Sequence, residues 1–147
     1  MLKIALGTDH AGYHLKEAIR EYLSKEGYEV EDFGTFSDES VDYPDFVIPA
    51  AESVANGKND FAVVFGGSGN GEAIAANKVK GIRCGVCWNK KSALLTKEHN
   101  NANVIAMGGR MVSNEEGIEI VKAWLGASFE GDRHQRRIDK LSAYETK

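Results

Sequence analysis

A three-layer α/β sandwich, built on a doubly wound, Rossmann-like parallel sheet of five strands, is the fold the sequence predicts. Three observations carry it. Short apolar runs alternate with segments of helical period along the whole chain. The clearest of these runs is apolar throughout rather than on alternate residues, the pattern of a strand covered on both faces. The 147 residues suit one domain with one core, and no repeat, low-complexity tract or linker divides them.

Leu2 to Leu6 reads as the first strand and stops at Gly7. Leu15, Ala18, Ile19, Tyr22 and Leu23 recur at helical spacing, and Gly27 closes that helix. Tyr28 to Phe33 is the second strand, followed by a polar loop from Gly34 to Tyr43. Pro44 suits the first turn of a helix carrying Phe46, Val47, Ala50, Ala51 and Val54. Phe61 to Phe65 is a third, wholly apolar strand; a glycine-rich turn and a helix with Ile74, Ala75 and Val79 follow. Cys84 to Trp88 is a fourth strand, Ala93 to His99 a helix and Val104 to Met107 a fifth strand. Ile118, Ile120, Val121 and Trp124 mark another helix, and an arginine-rich one runs from about Asp132 to Tyr144.

Composition narrows the function. The chain is 42% hydrophobic and 27% charged, with a net charge of −4, so it offers no broad basic field for a nucleic-acid backbone. No apolar run approaches the ~18 residues a membrane span needs, and the start lacks the features of a signal peptide. The expected location is the cytoplasm. Cys84 and Cys87 have a spacing that invites a metal or redox reading. Within a strand, however, positions three apart point to opposite faces, and no second pair completes a zinc site. Two buried, reduced thiols are expected.

In such folds ligands bind beyond the carboxyl ends of the strands. Asp9 and His10, Ser68 to Glu72, and Gly108 to Arg110 fall in those places and can converge on one crevice. The turn Gly66-Gly67-Ser68-Gly69-Asn70-Gly71-Glu72 is not a P-loop, which needs Lys-Ser or Lys-Thr after its last glycine. Its glycines are not spaced as a dinucleotide fingerprint, and Asn70 breaks the symmetry of a nucleophile elbow. What remains is a turn whose backbone N–H groups can face an anion or a developing oxyanion at a helix start. Glu72 is either a first-turn charge on the helix dipole or a general base beside an oxyanion hole. His99, near a helix end, can be a proton donor, and Asn100 and Asn101 after it can simply end the helix. Arg110 is a solvated loop charge or a ligand contact. Arg133 and Arg137 share a helix face, as a solvated surface or as a bidentate phosphate grip. His10 and His14 can share a face, with no third metal ligand evident.

Taken together, these residues resemble the ribose-5-phosphate isomerase type B family, which also includes galactose-6-phosphate and allose-6-phosphate isomerases. The resemblance runs through Gly7-Thr8-Asp9-His10-Ala11-Gly12, Asp42-Tyr43-Pro44-Asp45, the glycine turn, Ile74-Ala75-Ala76-Asn77-Lys78, Glu98-His99-Asn100 and Arg133-His134-Gln135, and covers nearly the whole chain. It implies a homodimer, or a dimer of such dimers, with active sites shared between subunits and the C-terminal helix reaching the partner. It implies Glu72 as the proton acceptor, His99 as the acid that opens the sugar ring, and Ser68 as a hydrogen-bonding aid. Asp9, His10, Tyr43, Gly67, Ser68, Gly69, Asn70, Gly71 and Asn100 are implied substrate contacts. Arg110, with Arg133 and Arg137 from the partner, is the implied phosphate clamp. Family members carry a cysteine base at position 66 or a glutamate base at position 72; glycine and glutamate here resemble the glutamate subtype. No metal or cofactor is implied. Two other readings compete: a serine hydrolase using Ser68 and His99, and a non-catalytic binder of phosphosugars or nucleotides.

Overall fold

The computed structural model describes Met1–Lys147, folded about one five-stranded sheet. The strands are β1 (Lys3–Thr8), β2 (Glu29–Asp32), β3 (Phe61–Gly66), β4 (Cys84–Val86) and β5 (Val104–Gly108). The helices are α1 (Tyr13–Lys25), α2 (Pro44–Ala55), α3 (Asn70–Asn77), α4 (Lys90–Glu98), α5 (Asn114–Gly126) and α6 (Arg133–Glu145). All pairings are parallel and the order is β2-β1-β3-β5-β4. Pro44 opens α2 as expected, and Gly27 turns the chain after α1 at φ 88°. Helices α4 and α5 begin before their apolar residues, because Asn89–Ser92 and Ser113–Glu116 each close a capping box.

Strand alternation sends two sets of side chains to two faces. Ile4, Leu6, Val63, Phe65, Ile105 and Met107 pack under α1, α4 and α5, with Ile19, Ile120 and Trp124. Ala5, Ala62, Val64, Val104 and Ala106 pack under α2 and α3, where Val47, Ala50, Ala73 and Ala76 complete a core built mainly of alanine and valine. Cys87 joins the first core and Cys84 borders the second, the opposite-face placement expected of them. Both are free thiols.

Helix α6 packs sparingly on its own chain: of its thirteen residues only His134 and Ile138 are buried. Glu145 accepts a hydrogen bond from the Gly81 amide (3.1 Å), while Leu141 and Tyr144 stay exposed.

Candidate active site

From β1 the chain leaves toward the α1 face, and from β3 toward the α3 face, so the loops after these neighbouring strands diverge and open a crevice. Asp9 sits at its floor, buried, with Oδ1 accepting the Ala11 and Gly12 amides (2.9 and 3.2 Å). These bonds shape a single 3-10 turn, His10–Gly12, ahead of α1. The Val41 amide donates to His10 Nδ1 (3.1 Å), which places the neutral ring's proton on Nε2 and ties the Gly34–Tyr43 loop to the crevice. His14 instead faces solvent beside Asp38 (3.7 Å).

The glycine turn is stitched to the end of β5. Gly109 donates to the Gly66 carbonyl (2.7 Å) and Arg110 to the Gly67 carbonyl (3.1 Å). The Arg110 side chain therefore lies over Gly67, where an added Cβ would meet Nη1 at 3.1 Å. Gly69 caps α3 at φ 90°, a left-handed conformation that favours glycine. Ser68 Oγ accepts the Asn70 amide (3.2 Å). The Tyr43 ring covers Gly71, so closely that a Cβ there would stand 2.7 Å from Cζ. Asp9, His10, Tyr43, Gly67–Gly71, Glu72 and Arg110 thus share one end of the sheet.

Glu72 is buried in the first turn of α3, only 3% exposed. Its carboxyl fills the volume that a side chain at position 66 would take: a Cβ on Gly66 would lie 2.1 Å from Cδ and Oε2 and 2.2 Å from Oε1. Burial, as the largest cause, pushes the Glu72 pKa above the ordinary carboxylate range. The Asp9 charge adds to this, while the backbone of Glu72 and Gly69 draws it partly back. A carboxylate so placed is a stronger proton acceptor than a solvated one.

His99 and Asn100 stand elsewhere. Helix α4 starts beyond the carboxyl end of β4 and runs back, so its last turn lies at the amino ends of the strands. Lys97 Nζ sits 4.0 Å from the ring centroid of Phe61, the first residue of β3, and Asn103 O accepts the Ala62 amide (3.1 Å). Trp124, fully buried, donates Nε1–H to Ala102 O (3.2 Å) and holds this corner. Lys97 is buried between the Phe61 and Trp124 rings with no carboxylate partner, and burial lowers its pKa. Five steps along β3 at ~3.3 Å each put about 17 Å between this end and Glu72. Arg133 and Arg137 are exposed on α6 at the same amino end, where the buried His134 ring stacks on His99 (centroids 4.4 Å apart, planes 12° apart). Within one chain, Ser68 and His99 lie at opposite ends of the sheet, too far apart to form a nucleophile–base pair. Sequence reading missed Lys97, Glu130 and the stacking role of His134. Only Arg133-His134-Gln135, as a motif, pointed toward the last.

The model of the Ribose/Galactose Isomerase family matches residues 4–141. The chain belongs to this family. It is 47% identical over 145 residues to ribose-5-phosphate isomerase B of Escherichia coli (strain K12), covering 99% of this chain and 97% of that one. The solved structure of Clostridium thermocellum ribose-5-phosphate isomerase B superposes with a TM-score of 0.97 at 49% identity, covering 99% and 98% of the two chains. That of Mycoplasma genitalium ribose-5-phosphate isomerase B with bound ribulose-5-phosphate gives a TM-score of 0.94 at 41% identity, covering 99% and 97%. Sheet order, glycine turn and buried carboxylate are thus those of a chain within a family of sugar isomerases.

Proposed function

We propose that the chain, acting as one domain, interconverts ribose 5-phosphate and ribulose 5-phosphate through an enediolate, in sites shared between two copies. The observation that carries this reading is the Glu72 carboxyl, buried in the space left by Gly66, beside Asp9 and at the mouth of the glycine turn. Glu72 takes the proton from carbon 2 and returns it to carbon 1, while the hydroxyl proton passes from O2 to O1. Amides of the Gly67–Gly71 turn that are not already given to Ser68 Oγ or to the Glu72 carboxyl, with the Ser68 hydroxyl, stabilise the negative oxygen. Asp9, His10 and Tyr43 line the sugar. These proton transfers use groups the chain itself supplies and need no metal or nicotinamide.

Ring opening requires a proton at the ring oxygen O4 as the C1–O4 bond breaks, with water taking the proton from O1. His99 is the donor, and it reaches the sugar from a second copy, as do Asn100, Arg133 and Arg137. Arg110 and the two α6 arginines grip the phosphate, whose binding positions the reacting carbons. Two features support the second copy. The His99 end stands about 17 Å from Glu72 along the sheet. Both ends also carry exposed apolar side chains, Ile74 near the turn (61%) and Leu141 and Tyr144 on α6 (60% and 73%), the composition of a self-complementary two-fold interface.

Turnover of four-, five- and six-carbon aldose phosphates tests the substrate, with ribose 5-phosphate expected to give the highest kcat/KM. Glu72→Gln should lower kcat by roughly 10²–10⁴-fold with KM little changed. Near-normal turnover by that variant would remove Glu72 from the mechanism.

A further inference from the structure

We propose that Glu130 is a positioning residue for His99, its charge drawing the Nε2–H side of the ring toward it so that Nδ1 faces the sugar, with His134 as the stacked platform that fixes the ring plane. This rests on the reading of His99 as the ring-opening acid.

The local chain path puts the three residues together. The Glu130 amide donates to Glu98 O (3.0 Å), pinning the segment before α6 against the end of α4. Gly131 and Asp132 then both take positive φ (73° and 49°) and turn the chain sharply into α6. Glu130 Oε1 comes to 3.8 Å from His99 Nε2 and 3.5 Å from His134 Nε2. His134 Nε2 is buried without a hydrogen-bond partner, so the stacked ring is placed by packing, with this carboxylate 3.5 Å from it. Burial, as the largest cause, together with Arg133, His99 and Arg137, favours the neutral form of His134, while the Glu130 carboxylate pulls partly the other way. A neutral ring can stack on His99 through the proton transfer without adding a like charge.

Three donor atoms within 4.8 Å of one another invite a metal reading. The stack argues against it. Imidazole lone pairs lie in the ring plane, and two nearly parallel planes held apart by stacking cannot both aim at one ion ~2.0–2.1 Å away. A carboxylate orienting an imidazole is the arrangement that remains, as in base–orienter pairs generally. When His99 gives its Nδ1 proton to O4, the neutral ring left behind carries its proton on Nε2, the nitrogen that faces the Glu130 carboxylate at 3.8 Å.

Two measurements test this. The first is the ratio of kcat on ribose 5-phosphate to kcat on an aldotetrose 4-phosphate, whose phosphate occupies the oxygen that would close the ring. Glu130→Gln and Glu130→Ala should lower this ratio roughly 3- to 10-fold. His134→Ala should lower it as well, and His134→Phe, which keeps the stack, should restore most of it. The second is the ¹⁵N shift pattern of the neutral His99 ring, expected as the Nε2–H tautomer in the native chain and as a mixture in Glu130→Ala. A native Nδ1–H tautomer overturns the proposal. So does an unchanged ratio in both Glu130 variants when His99→Asn lowers it; ring opening by His99 then stands without Glu130. If His99→Asn slows both aldoses alike, the ring-opening reading itself fails, and the positioning role with it.

Discussion

Gly66→Ala perturbs the site at one atom. Gly66 has no left-handed φ, so alanine is compatible with its backbone. The new Cβ would lie 2.1 Å from the Glu72 carboxyl carbon, against about 3.4 Å for ordinary contact, so the carboxyl must retreat by roughly 1.3 Å. It is the far end of a flexible side chain, and it can move while α3 stays in place. A displacement of about 1 Å of a reacting group costs on the order of 10²-fold in rate. Isomerisation kinetics and thermal melting of the same sample are the assay. The expected outcome is a kcat near one-hundredth of normal, a modest change in KM and a Tm within a few degrees of the parent chain. A second variant, Gly66→Ala with Glu72→Ala, should relieve the crowding without regaining activity. Turnover within threefold of normal in folded Gly66→Ala would refute the assignment of that volume to the working carboxylate.

Burial raises the Glu72 pKa, so the folded chain holds this proton more tightly than the unfolded chain. The associated stability is present at low pH and lost as pH rises through the raised value. Glu72→Gln should therefore melt above the parent chain at pH 7–8, with the difference shrinking toward pH 4; a lower Tm at neutral pH contradicts this. Burial pushes the Cys87 thiol up to about 12 and the Cys84 thiol higher still. Both should resist iodoacetamide at neutral pH until the chain unfolds, and rapid labelling of the native protein, read by mass spectrometry, would contradict their placement.

Much of the fold was legible because its physics is local. Apolar runs such as Phe61–Phe65 become covered strands, Pro44 starts α2, and the glycine turn opens α3 where sequence places it. Strand β4 is shorter than its apolar run because it pairs only with β5, for three residues at the sheet edge. The candidate site was legible as residue types at strand ends, with Asp9, Glu72 and Arg110 converging as expected. The amino-end location of His99 follows from α4 running back along the sheet, a consequence of strand order that no local pattern states. The shared volume of Gly66 and Glu72 lies in the third dimension, as does the cluster of Glu130 with His99 and His134. These depend on packing across 6 and 31 residues of sequence respectively, where periodicity carries no information.

Subunit mixing tests most directly whether the site is shared. Glu72→Gln and His99→Asn proteins, each impaired as a dimer, are mixed in equal amounts under conditions that exchange subunits. About half the dimers become mixed; in each, one site carries both substitutions and the other carries neither, so about a quarter of all sites are restored. Recovery of activity toward about one quarter of normal is the predicted result. Demonstrated exchange with no recovery would place Glu72 and His99 in the same chain's site, against the separation of the two ends of the sheet.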